Sequence, residues 1–217
     1  MKEKLYDIII FGATGFTGKL VAEYILEQYG LKNNKLFNWA IAGRDIKKLE
    51  NLKSDLLKIN SDAVELDLLV ADSFDEKTIN KITESARLII STVGPYIKYG
   101  KKLVSSCAKN GTHYCDLTGE VPFIRESIDI NDKIAKKNNC KIIHSCGFDS
   151  IPSDLGVLLM QKEALKKYKM PCREIKYYVR GTKGGFSGGT IASMIAISEH
   201  IKSNPSLILS LALAEAA

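Results

Sequence analysis

The first clear pattern in the chain is an unbroken apolar run, Ile8-Ile9-Ile10-Phe11. Such a run fits a strand covered on both faces, as in the middle of a parallel sheet. From Lys19 to Gln28 the period becomes that of a helix, with Leu20, Val21, Tyr24 and Ile25 on one side. The alternation then repeats. Phe37–Ala42, Ala63–Leu68, Arg87–Val93, Thr112–Leu117 and Cys140–Cys146 read as further strands. Ile46–Ile59, Asp75–Glu84, Gly100–Asn110 and Ser127–Asn138 read as the helices between them. The Asp149–Pro152 stretch opens another helix that runs to about Lys167, with Ser150 or Ser153 as N-cap. Strands alternating with helices in this way predict an α/β fold, a doubly wound parallel sheet of the Rossmann type.

After Pro171 the pattern changes. Ile175, Tyr177 and Val179 alternate with Glu174, Lys176 and Tyr178, as in a half-exposed strand over Arg173–Val179. A polar loop, Gly181–Gly189, precedes a helix over Thr190–Lys202. Residues 1–170 are therefore expected to form a dinucleotide-binding domain. Residues 171–217 are expected to begin a second, incomplete α+β domain for substrate binding or oligomerisation. Leu207–Ala217 offers too little to finish a second core, as in a fragment of a longer chain.

Between the first strand and the first helix lies Gly12-Ala13-Thr14-Gly15-Phe16-Thr17-Gly18. Strand, glycine-rich turn and helix make the setting of a dinucleotide fingerprint, here spaced G-x-x-G-x-x-G. Gly12 permits the turn, Gly15 lets the backbone approach a pyrophosphate, and Gly18 lets helix and strand pack closely. The free N–H groups at the helix start would then face phosphate.

The end of the second strand discriminates between cofactors. An acidic residue there would bind the ribose 2′-hydroxyl of NAD, whereas an arginine accommodates the 2′-phosphate of NADP. Gly43 holds that position and Arg44 follows, so NADP(H) is expected over NAD(H). Asp45 reads as the cap of the next helix. Asp67 is a candidate acceptor for the adenine amino group, with a turn cap as the alternative. Thr92, Val93 and Gly94 should fall near the nicotinamide end, because ligands of such sheets sit beyond the carboxyl ends of the strands. Ser91 and Tyr96 lie in the same stretch, and Tyr96 could equally pack inside.

Composition removes several alternatives. The 217 residues carry 31 basic and 25 acidic side chains, a net charge of +6, with the lysines spread along the chain. No basic run is long enough to name nucleic acid as a partner. No stretch has transmembrane length, and the first strand starts too early to leave room for a signal peptide. The five cysteines show no C-x-x-C and read as reduced thiols of a cytoplasmic protein. His113, Cys115, His144 and Cys146 could gather at strand ends, but their spacing is not a zinc pattern. Gly185–Gly189 formally matches a nucleophile elbow at Ser187, yet no Asp and only His200 follow it suitably. No tyrosine has a lysine four residues later, and no Walker-type loop occurs.

Five separated segments carry a resemblance. They are Gly12–Gly18, Ala42-Gly43-Arg44, Ser91–Tyr96, Tyr114–Glu120 and Gly147–Asp154, with Gly188–Ser193 fitting as well. The chain resembles the saccharopine dehydrogenase-like oxidoreductases, the group that includes bacterial trans-acting enoyl reductases. The resemblance implies a Rossmann domain, a nicotinamide cofactor and a larger second domain. It implies a role in lipid or glycolipid metabolism, with cytosolic, peripheral-membrane or lipid-droplet locations, and it leaves a homodimer open. Saccharopine dehydrogenases themselves carry a Gly-x-Asp-Pro-Gly turn where this chain has Gly147–Ile151, which argues against saccharopine as substrate.

The expected activity is that of an NADP(H)-dependent oxidoreductase acting on a small molecule, without a metal. A nucleotide-binding scaffold or redox sensor without turnover is the alternative. Asp116, Glu120, His144, Asp149 and Ser150 lie at or beyond strand ends and are candidates for the substrate side, each also readable as a cap or a supporting residue.

Overall fold

The computed structural model describes residues 4–31, 36–181, 183, 185 and 187–203. The elements are β1 (Tyr6–Phe11), α1 (Phe16–Tyr29), β2 (Trp39–Gly43), α2 (Ile46–Leu57), β3 (Asp67–Val70), α3 (Glu76–Ser85) and β4 (Ala86–Ser91). They continue with α4 (Tyr96–Tyr99), α5 (Lys101–Asn110), β5 (His113–Asp116), α6 (Val121–Lys137), β6 (Ile142–Ile143), α7 (Ile151–Tyr168) and α8 (Gly188–Ser203). The strands form one parallel sheet in the order β3-β2-β1-β4-β5-β6. Sequence order reverses between β1 and β4, which opens a crevice beyond their carboxyl ends.

The apolar run of β1 serves two cores at once. Ile9 and Phe11 face one side, with Ile79, Ile82, Leu103, Val104 and Phe123 from α3, α5 and α6. Ile10 faces the other, with Ala22, Leu26, Leu49, Leu52 and Leu56 from α1 and α2. Successive strand residues point to opposite faces, so an all-apolar strand needs cover on both.

Several elements depart from the sequence expectation; of the strand expected over Cys140–Cys146 only Ile142–Ile143 forms, as β6. The buried stripe of α1 is Gly18, Ala22, Ile25 and Leu26, while Leu20 and Tyr24 are exposed. Gly18 must face the turn it packs against, and that requirement sets the rotation of the helix. Ala63–Leu68 is not a strand from its start. Ser61–Glu65 forms a 3-10 turn in which the Asn60 side chain accepts from Asp62 N, and β3 begins at Asp67. α6 starts at Val121 with Pro122 in its first turn, well before Ser127. Arg173–Val179 has no regular structure and pairs with no strand among the described residues. Leu207–Ala217 lies outside the described residues.

Candidate functional site

A cavity of ≈ 470 Å³ lies beyond the carboxyl ends of β1–β4. Its floor is the glycine turn, through Gly12, Thr14, Gly15, Phe16 and Thr17. Gly43 and Arg44 border it after β2, Ala71–Phe74 after β3, and Thr92–Pro95 after β4. Ser187, Gly189 and Ala192 of the α8 region supply a further wall.

Each glycine of the turn has a distinct physical reason. Gly12 has φ +89°, and a Cβ there would lie 2.5 Å from Val93 Cγ2. Gly18 packs so tightly that a Cβ would meet Gly12 O at 2.2 Å. At Gly15 the nearest atom to a Cβ is Gly12 O, at 3.3 Å, and the φ is an ordinary −78°. Apart from that one tight contact a Cβ at Gly15 meets no protein atom within 4 Å, so the rest of the space over Gly15 is open to a ligand. Gly15 caps α1 without a side-chain hydrogen bond, and the first turn of α1 holds no acidic residue. Its N–H groups remain available to an anion, and a pyrophosphate fits the cradle. The Thr92 hydroxyl lies 3.1 Å from Gly12 O and so ties the turn to β4.

Arg44 is exposed at the rim and has no ion-pair partner among the described residues. Asp45 caps α2 by accepting from Lys48 N. Ala13 and Gly18 do not line the cavity; both are buried beneath it and support the turn.

Asp67 stands corrected. It is the first residue of β3, exposed, and accepts a 2.8 Å hydrogen bond from the Tyr6 hydroxyl, away from the cavity. Burial, together with that bond, pushes the Tyr6 phenol up to about 12. The carboxylate that borders the cavity is Asp72, beside Ser73. Placing β3 too early hid it. The turn-forming run Asn60-Ser61-Asp62 is the signal that would have moved the strand later.

Tyr96 is buried and its hydroxyl donates to Ser91 O at 3.1 Å, so it packs and does not face the cavity. Burial pushes its phenol above the ordinary range. None of the five substrate-side candidates lines the cavity. Asp116 is buried and accepts from the Tyr114 hydroxyl at 2.8 Å, Thr118 N at 3.1 Å and Ser145 N at 3.2 Å. His144 Nδ1 lies 2.7 Å from the same carboxylate, and His144 Nε2 lies 2.9 Å from Ser127 Oγ. This chain of polar groups joins β5, β6 and α6 in the interior. Asp149 is exposed, and the Ser150 side chain makes no capping bond to α7. Glu120 is buried and joins three segments through its carboxylate.

Among the described residues no three His, Cys, Asp or Glu side chains gather where they could hold a metal ion. His113 Nδ1 instead accepts from Lys141 N. The five cysteines are free, and burial pushes the Cys115 thiol up to about 12. Ser187 caps α8, with Thr190 N donating to its Oγ at 3.2 Å, which is no nucleophile's setting. Phe186 lies outside the described residues. The sequence did not point to Ala192 or Tyr99 as cavity residues; neither belongs to a turn motif.

A parallel sheet with reversed strand order, a bare helix N-terminus and a glycine cradle at the reversal define a dinucleotide-binding domain of the Rossmann class. Comparison with known proteins gives the particular family. Residues 8–143 match the saccharopine dehydrogenase NADP binding domain, and the chain belongs to that family. NADP(H) is accordingly its cofactor class. A Mycobacterium tuberculosis protein named provisionally as a trans-acting enoyl reductase is 40% identical over 200 residues, which cover 92% of this chain and 46% of that one. The trans-acting enoyl reductase of Mycobacterium leprae is 36% identical over 189 residues, 87% of this chain and 43% of its own. The chain thus spans about half the length of the curated relatives it matches. Saccharopine dehydrogenase (L-Glu forming) from Saccharomyces cerevisiae shares the fold, with a TM-score of 0.55 at 18% identity over 74% of this chain and 32% of the yeast one. No helix among the described residues is long and apolar enough to cross a membrane.

Proposed function

We propose that this chain is the cofactor-binding part of an NADP(H)-dependent oxidoreductase of lipid metabolism that reduces a carbon–carbon double bond conjugated to a carbonyl. The observation that carries this reading is the uneven charge of the cavity. Among the described residues that line it, the charged ones are Arg44 and Asp72, just after β2 and β3. The described residues at the opposite end, Val93–Pro95, Gly189 and Ala192, carry no charged side chain. An uncharged enoyl group suits such a wall better than an amino acid does. The relatives' name, trans-acting enoyl reductase, supports the same class of substrate.

In this reading Arg44 holds the 2′-phosphate and the first turn of α1 holds the pyrophosphate. Asp72 and Ser73 border the adenosine, and Thr92, Val93 and Gly94 border the nicotinamide. NADPH, when bound there, supplies a hydride from its nicotinamide C4. The walls formed by Gly94–Pro95 and by α8 keep water from that position. Residues 1–170 form the cofactor domain, and 171–217 open a second domain for substrate or oligomer contacts. The protein would work in the cytoplasm, at a membrane or lipid-droplet surface without crossing it, and a homodimer is the assembly to test.

Calorimetric titration of the chain with NADPH, followed by NADPH oxidation by a full-length chain in the presence of an α,β-unsaturated thioester, tests the reading. Binding with turnover is expected. Absence of binding overturns it. Binding without turnover of any enoyl thioester leaves the scaffold or sensor reading, which the position of the five acid candidates away from the cavity favours.

A further inference from the structure

The Glu120 carboxylate is 1% exposed and accepts from three donors. Tyr96 N donates to Oε1 at 2.8 Å and Ile97 N donates to Oε2 at 2.7 Å. Ser193 Oγ donates to Oε1 at 2.6 Å. Tyr96 and Ile97 open α4, directly after the Gly94-Pro95 pair that walls the cavity. Ser193 lies on α8, directly after Ala192, which walls the cavity from the other side. A Cβ on Gly94 would come 3.4 Å from Ser193 Oγ, so the two walls touch at this point. A charged acceptor makes stronger hydrogen bonds than a neutral one, and burial removes competition from water.

We propose that Glu120 is a positioning residue for the uncharged end of the cavity. It fastens α8 to the segment after β4 and fixes the width available to the nicotinamide and the enoyl group. The inference rests on the cofactor reading above. It assigns Glu120 a place outside the chemistry, with no contact to cofactor or substrate. Gly189, in the first turn of α8, lines the cavity, and Ser193 is the side chain that holds the helix there.

The test compares two ligands on the same protein. NADPH spans the whole cavity, whereas 2′-phospho-ADP-ribose lacks the nicotinamide and reaches only the Arg44 end and the phosphate turn. Ser193→Ala removes one arm of the clasp. It should weaken NADPH by about tenfold, the scale of one lost hydrogen bond to a charged group, and leave 2′-phospho-ADP-ribose unchanged. Glu120→Gln should shift NADPH in the same direction, because an amide nitrogen cannot accept from the N–H group it would face. A general loosening of the fold would weaken both ligands alike, and that result overturns the proposal. So does unchanged NADPH affinity in Ser193→Ala. If the unsubstituted protein binds neither ligand, the cofactor reading itself has failed.

Discussion

The carbonyl oxygen of Gly12 occupies the place where a side chain on Gly18 would begin, 2.2 Å from the position of its Cβ. Gly15, midway between them, has 3.3 Å to the same oxygen. One glycine is thus required by the fold and the other is spared for a ligand. Gly18→Ala should destabilise the protein, by about 3 kcal/mol for overpacking against backbone that cannot retreat. Gly15→Val should unfold at nearly the wild-type temperature yet lose NADPH binding. Thermal melts and titrations on both variants check this; a Gly15→Val protein that binds normally would remove the turn from the site.

Arg44 should decide between the two nicotinamide cofactors. Its guanidinium can hold a 2′-phosphate through charge-assisted, paired hydrogen bonds. Arg44→Ala should weaken NADPH by about ten- to a hundredfold and leave NADH nearly untouched. Raised salt should weaken wild-type NADPH binding more than NADH binding. Equal losses for both cofactors would assign Arg44 to the fold or to the shared adenosine.

Asp67 and Asp72 should separate cleanly. Asp67→Ala removes the acceptor of the Tyr6 hydroxyl and should cost about 1 kcal/mol of stability while leaving NADPH affinity intact. Asp72→Ala should reduce NADPH affinity. The reverse pattern would return the adenine contact to Asp67.

The Tyr6 phenol also sets an alkaline limit. Its folded value of about 12 lies above the ordinary 10.0, so the folded state holds the proton more firmly than the unfolded chain. Its contribution is complete below pH 10 and is lost as pH rises through about 12. Tyr6→Phe should therefore be less stable than wild type at neutral pH, and the gap should narrow across that window. A gap independent of pH would show that the phenol does not titrate with folding.

The Asp116 carboxylate gathers partners from β5 and from the segments after β5 and β6. Asp116→Ala leaves several of these unpaired in the interior and should cost about 3 kcal/mol or more. Ser127→Ala removes only the outer partner of His144 and should cost about 1 kcal/mol. Chemical denaturation distinguishes the two. Equal effects would mean that His144, and not Asp116, organises the cluster.

The sheet was readable because fully buried parallel strands leave apolar runs, as in Ile8–Phe11, and because glycine turns mark where those strands end. The phosphate cradle was readable for the same reason. Asp67 was misplaced because a 3-10 turn and a strand entry both present Ala, Val and Leu, and only pairing with β2 separates them. The relay of Asp116, His144 and Ser127 and the clasp of Glu120 with Ser193 join residues far apart in the chain. No local pattern encodes such contacts. Tyr24 was misassigned because a single close approach at Gly18 outweighed the summed hydrophobicity of a helix face.

The position of β1 at the centre of the sheet has a consequence for synthesis. Tyr6–Phe11 leaves the ribosome before every other strand of this sheet, yet one of its two edges is completed only by Ala86–Ser91. Until those residues emerge, an apolar strand with an unpaired edge stands open to other nascent chains. Slow translation between β3 and β4 would lengthen that exposure, so the yield of folded protein should depend on elongation rate and on holding chaperones more than final stability alone would suggest.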